Sequence, residues 1–311
     1  MSKNDKPISD FKNSFEEIES ALESTNFRSR AWGSLKADKV AFASVAVVIF
    51  LILVAIFAPF FAPKDPLFQY IDGLSDVGAP QGLGRHFLLG ADQSGRDVLS
   101  RLIYGARVSL TVGIVATALA SFIGVMIGAV SGYLGGWVES FLMRLTDIVL
   151  AFPILLFCIA LIAVTGPSTK NVVLVIAFAY WTYLARIIRS QVLSLKEREF
   201  VIAARSLGLT TPQIIRRHII PHLIPTIIVY STLGVATSIL IEASLSFLGI
   251  GVPLPQASWG EMISEGQKYF QTAPWLLVAP GVTMIIAVLA FNLMGDWLTD
   301  LFDTSAMGVK R

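Results

Sequence analysis

The chain has 311 residues, of which 54% are hydrophobic and only 15% charged, and its mean hydropathy is +0.69. Such a composition excludes a soluble domain and places the chain in a membrane. The net charge of +2 points to no class of partner, the single cysteine (Cys158) excludes an intrachain disulfide framework, and His86, His218 and His222 lack the spacing of a metal site.

Six apolar stretches approach the length that crosses a ~30 Å hydrocarbon core. They fall at about 40–62, 108–130, 145–165, 172–188, 223–249 and 275–295. No cleavable signal pattern precedes the first, which therefore reads as a retained span. The expected fold class is an all-α multi-pass membrane protein with six transmembrane helices and both termini on one side. Its expected layout is a cytoplasmic tail 1–39, a first span 40–62, an external loop with an interfacial helix 63–107, a five-helix core 108–300 and a cytoplasmic tail 301–311. The connection between spans four and five carries Arg186, Arg189, Lys196, Arg198, Arg205, Arg216 and Arg217, so it is expected to be cytoplasmic, together with both termini. Five bases in 63–107 run against that bias, but five acids balance them and a long loop is weakly bound by the rule.

In the tail, Phe11, Phe15, Ile18 and Leu22 have the spacing of a short amphipathic helix, although a tail without structure fits equally. After span one, Val98, Leu99, Leu102 and Ile103 form one face and Arg96, Asp97, Ser100 and Arg101 the other. This pattern predicts a helix lying along the membrane surface, either an elbow into span two or a gate. Span two carries Gly124, Gly128 and Gly132 in line with Ala116 and Ala120, a stripe that lets helices approach closely. Arg144 and Asp147, three apart, are expected to pair on one face of span three, and Pro153 to kink it. Glu242, within span five, would either face a water-filled cavity or be tied to a neighbouring helix.

The stretch FVIAARSLGLTTPQIIRRHIIP, 200–221, is basic and lies between two spans. Ser194 and Glu197 read as a capping box opening a helix from about 195 to 207. Gly208 would close that helix in the left-handed region, and Thr211–Pro212 would open a second one running to about Ile220. A helix–turn–helix with Arg216 and Arg217 could suggest a DNA reader. Both ends are tethered to spans, however, and Ile214, Ile215, Ile219 and Ile220 leave no free basic face for a groove. A docking surface for a soluble protein is the expected role, and nucleic acid is not an expected partner. No Gly-x-x-x-x-Gly-Lys-Ser/Thr loop occurs, so ATP binding by this chain is not expected.

Ala203, Ala204, Gly208 and Pro221 have the arrangement of the EAA loop in permease subunits of ATP-binding-cassette importers, which this stretch resembles. Further segments, LLGADQSGRDVLSRLIYGARVSL (88–110), RLTDIVLAFP (144–153), EASLSFLGIGVPLPQASWG (242–260) and GDWLTDLFD (295–303), are similar to the dipeptide and oligopeptide permeases, C-type subunit. The likeness covers roughly 85–311. It implies a type I importer permease fold in a bacterial or archaeal cell membrane, with a coupling loop 191–222 seated on an ATPase. The residues implicated are Glu199, Ala203, Ala204, Arg205, Ser206, Leu207, Gly208, Leu209, Thr210 and Pro221. The implied partners are a second related permease, two ATPase subunits that hold ATP and Mg, an extracytoplasmic substrate-binding protein, and membrane lipid. The chain itself would bind no cofactor and catalyse no reaction. Two departures stand out: Ile202 replaces the acid of the motif, for which Glu199 would have to substitute, and Thr299 and Thr304 stand where an arginine and a proline are usual. Peptides are the implied cargo, with nickel or another small solute as the alternative. A secondary carrier would show an inverted repeat and broken mid-membrane helices, which are not evident. A non-transporting scaffold is the third reading.

Overall fold

The computed structural model describes residues 29–306, with side chains to residue 302; the amphipathic pattern at 11–22 and residues 307–311 lie outside the described residues. Residues 29–37 are helical and Asp38 then caps α1 (Lys39–Ile56), its carboxylate accepting from the backbone N–H of Val40 and Ala41. A further turn, Ala58–Phe61, follows at Pro59. The next long helix, α2 (Val98–Leu134), is capped by Asp97 and ends at Gly135. Then come α3 (Gly136–Leu150) and α4 (Ile154–Thr165), bent by 89° at Pro153, and α5 (Thr169–Leu195). α6 (Glu199–Ser206) and α7 (Thr211–Ile214) lead through a π-helical turn, Ile215–Ile219, into α8 (Ile220–Phe247). The chain finishes with α9 (Trp259–Gln267) and α10 (Trp275–Ala306).

The glycine stripe determines how α2 and α5 meet. A Cβ placed on Gly124, Gly128 or Gly132 would lie 2.7, 2.6 or 2.9 Å from the carbonyl oxygens of Trp181, Ala185 and Arg189. Only glycine allows this approach, and in lipid such backbone contact supplies the packing energy that helix association depends on. Both sets of residues ascend together, so α2 and α5 run parallel. A chain leaving the end of one and entering the start of the other must cross back between them, and α3 with α4 makes that crossing. Five unbroken helices and this broken pair therefore give the six expected spans.

α8 runs antiparallel to α2 along a polar seam. Ser109 faces Glu242, Gly113 faces Ile239, Thr117 bonds Ser238 at 2.9 Å and Ser121 bonds Ser231 at 2.8 Å. α1 and α10 close the opposite flank around Val48, Leu51, Ala287 and Phe291.

Two expectations are corrected here. There is no separate interfacial helix before span two: Val98–Leu134 is one helix of 37 residues, because nothing between the Asp97 cap and Gly135 interrupts it. Its polar start does not face solvent; Arg96, Asp97, Ser100 and Arg101 are all buried. Nor does Pro221 separate a short helix from span five. Thr211–Phe247 is continuous, with the π turn widening the ring where proline lacks its N–H.

Candidate functional site

The basic hairpin stands at the end of the bundle where α2 and α5 finish. Ser194 and Glu197 do not open a helix, since α5 runs through Ser194 to Leu195, and the chain turns over 196–198 before α6 begins at Glu199. Burial of Val192 in the bundle holds that last turn of α5 in place and overrides the local cap signal. The expected end of the first helix is met: Leu207 caps it and Gly208 has φ +79°. A Cβ at Gly208 would touch nothing within 4 Å, so the glycine is needed for its backbone conformation and not for space. The second helix is capped by Thr210, one residue earlier than expected, and Gln213 Oε1 accepts the Thr210 backbone N–H at 2.8 Å.

The hairpin has an inner and an outer face at helical spacing. Val201, Ala204, Ile214 and Ile219 are buried against Val125, Ala129, Ile188 and Val192, so the inner face shares one core with the ends of α2 and α5. Lys196 Nζ donates to the Gly132 carbonyl at 3.2 Å, and the Arg205 guanidinium lies over the Tyr133 ring. Leu209 is half-buried in the same core. On the outer face Ile202, Ala203, Arg205, Ser206, Leu207 and Gly208 are exposed, and Leu207 is 81% exposed. Glu199, Thr210 and Pro221 are also exposed, and Glu199 makes no ion pair among the described residues. The result is a rigid knob whose apolar tip is left uncovered by the described residues.

The intramembrane candidates separate. Glu242 is fully buried and tied down: Ser246 Oγ donates to it at 2.7 Å and Ser109 Oγ at 3.1 Å. Ser109 Oγ in turn accepts the Trp259 backbone N–H, and Gly260 packs directly on Ala243. Glu242 thus joins α2, α8 and α9, the tied alternative of the two expected. Arg144 and Asp147 do not pair. Asp147 instead accepts from Arg186 on α5, and Arg144 is exposed, because α3 crosses α5 and turns its Asp147 side to that helix. A second pair, Glu139 with Arg189, joins the same two helices.

A cluster at the other end of the bundle escaped the sequence reading. Arg96 Nε meets Asp92 at 2.6 Å, and Arg101 Nη2 meets Glu261 at 3.0 Å and Glu265 at 2.9 Å. Arg101 Nε also approaches Asp92, at 3.3 Å, and Arg96 Nη2 approaches Glu265, at 3.2 Å. Three carboxyls face two guanidiniums, so a single proton makes the group neutral. Burial pushes the Glu261 carboxyl up to about 8 against the pull of Arg101, and its hydrogen bond with Glu265 pushes in the same direction. Burial also pushes Glu265 up, but the bond from Glu261 and the charges of Arg101 and Arg96 outweigh it and hold that group below its ordinary range. The proton therefore sits on Glu261. The only sequence signal was Glu261 and Glu265, four apart on one short helix.

Among known proteins, residues 124–307 match the family described as binding-protein-dependent transport system inner membrane component. Residues 26–76 match the N-terminal TM domain of oligopeptide transport permease C. The dipeptide transport system permease protein DppC of Alkalihalophilus pseudofirmus is 39% identical over 273 residues, 88% of each chain. The oligopeptide transport system permease protein OppC of Haemophilus influenzae is 40% identical over 266 residues, 86% of this chain and 85% of that one. A solved structure of the MetNI methionine ABC transporter in an inward-facing conformation superposes with a TM-score of 0.54 at 17% identity, over 65% of this chain and 97% of that chain. That likeness shows the type I permease fold.

Proposed function

Since the chain belongs to the family of binding-protein-dependent transport system inner membrane components, we propose that it is the C-type permease subunit of an ATP-driven importer of di- and oligopeptides. The observation that carries this reading is the hairpin. It is a protruding element whose inner face is locked into the bundle core and whose outer face presents Leu207 to an absent partner.

In this reading a pair of ATPase subunits binds ATP and Mg, which this chain has no phosphate loop to hold. Each ATPase takes one coupling knob, this one formed by Ala203, Arg205, Ser206, Leu207 and Gly208, with Glu199, Thr210 and Pro221 flanking it. Ala204 and Leu209 act from within by fixing the knob to the core. A second, related permease completes the passage, and an extracytoplasmic binding protein delivers the solute. Closure of the ATPase pair would rock the bundles between outward- and inward-facing arrangements. The hairpin and both termini lie in the cytoplasm of a bacterial or archaeal cell, with the Asp92–Glu265 cluster outside. Peptide is preferred to nickel as cargo because the relatives are named for dipeptide, oligopeptide and glutathione transport.

Affinity purification of the tagged chain from its own membranes tests the reading. A sibling permease and ATPase subunits should co-purify and should be lost with Gly208→Asp or Leu207→Asp, which leave the buried face untouched. ATP-driven peptide uptake should fall to background in both variants. Full uptake with Leu207→Asp would remove the coupling role from the hairpin.

A further inference from the structure

The exposed surface of the spans is not uniform. On α1 every exposed residue from Val40 to Ile56 is apolar, and on α10 the same holds from Val278 to Leu293. On α2 the exposed positions between 114 and 126 are apolar as well. These faces suit hydrocarbon. α5 differs. Its exposed positions pass from Leu174 and Phe178 to Tyr183, Arg186 and Ser190. Beside them α8 exposes Tyr230, 41% accessible against 50% for Tyr183.

Tyr183 and Tyr230 flank a narrow crevice between α2, α5 and α8, which Ser121, Tyr180, Leu184 and Ile187 also line. The Tyr180 and Tyr183 rings lie 5.7 Å apart, tilted by 32°. Tyr180 is braced from behind by Gly234, where an added Cβ would come within 2.9 Å of its ring. Ser121 is held in place by its bond to Ser231. Tyr230 stands nine residues beyond Pro221, about 14 Å along the helix from the hairpin end. Arg186, exposed and paired with Asp147 of α3, stands on the same stretch of α5, toward the hairpin.

We infer that Tyr180, Tyr183 and Tyr230, with Ser121, form the wall that this subunit contributes to the aqueous passage, and that Tyr183 and Tyr230 touch the solute as it crosses. This assignment rests on the importer reading. The chemistry suits a peptide: the exposed ring faces of Tyr183 and Tyr230 pack on side chains of any kind, and their phenols exchange hydrogen bonds with main-chain amides without selecting a sequence, while Tyr180 and Ser121 back them.

Cysteine accessibility in the intact transporter tests the assignment. Tyr230→Cys and Tyr183→Cys are made separately in a Cys158→Ala background, with Val282→Cys on α10 as the lipid-facing comparison. Membrane vesicles are treated with a charged methanethiosulfonate. Both crevice thiols should react at least about tenfold faster than the Val282→Cys thiol, since the reactive thiolate forms in water and is suppressed in hydrocarbon. Added dipeptide should slow both, and ATP should change both rates. Reaction no faster than at Val282→Cys, in vesicles whose wild-type counterpart imports peptide on ATP, overturns the assignment and makes this face a contact with the second permease. Wild-type vesicles that take up no peptide on ATP overturn the importer reading itself. Tyr183→Cys keeps the test decisive should Tyr230→Cys fail to assemble.

Discussion

Glu261 shows how far a single side chain depends on residues remote in sequence. Its neighbour Arg101 comes from the first turn of α2, 160 residues earlier in the chain, and without it a carboxyl at this depth would have no compensating charge. Sequence pattern alone assigned Arg96 and Arg101 to a solvent face, because a polar stripe on a helix looks the same whether it faces water or a buried countercharge. The folded protein holds the Glu261 proton up to about pH 8, whereas the unfolded carboxyl releases it near 4.5. Between those values the folded state binds more protons than the unfolded state, so stability falls as pH rises and levels off above about 8. Glu265, held low, contributes in the opposite sense only below 4.5. Thermal unfolding of the purified protein should show this decline, and Glu261→Gln, which mimics the protonated form, should remove it. An unchanged slope in that variant would place the titration elsewhere.

Among the elements, the α2–α5 pair was the most legible. Small residues every fourth position imply close backbone approach whatever the partner, and the partner proved to be α5. The partner's parallel direction could not be read, because a stripe of glycines has no polarity. The hairpin was half legible. The Gly208 turn follows from local chemistry, while the start of α6 depends on the buried end of α5, a tertiary fact. The glycines of the spans should accordingly differ in tolerance. Gly128→Val would drive a side chain into the Ala185 carbonyl and the Ile188 side chain, and should destabilise the fold by about 1–3 kcal/mol. Gly281 on α10 meets nothing within 4 Å, so Gly281→Ala should be neutral or stabilising by up to about 1 kcal/mol. Melting temperatures in one detergent compare the two directly, and equal losses would contradict the close approach.

At the scale of the whole molecule, hydropathy located six crossings, and the kink expected at Pro153 is there, dividing the third span into arms at 89°, a sharper break than hydropathy itself records. Topology supplies what hydropathy lacks: parallel α2 and α5 require the return. Trp297 Nε1 donates to Ser34 Oγ at 3.2 Å, so the described start and end of the chain meet at one end of the bundle. A reporter that fluoresces only in the cytoplasm should therefore light up when fused to either terminus and stay dark when inserted at Gly78 in the opposite loop. A dark reporter at both termini would invert the proposed orientation. The shared core of hairpin and helix ends has one further mechanical consequence. α5 is a single rod about 40 Å long, glued along its length to α2 and bolted at its foot to the knob through Val201, Ala204 and Ile214. A linkage without a slack joint cannot absorb a push; it must convert it into a swing. A displacement of the knob by a fraction of its own width becomes a stroke at the far tip of the rod, at the opposite end of the bundle.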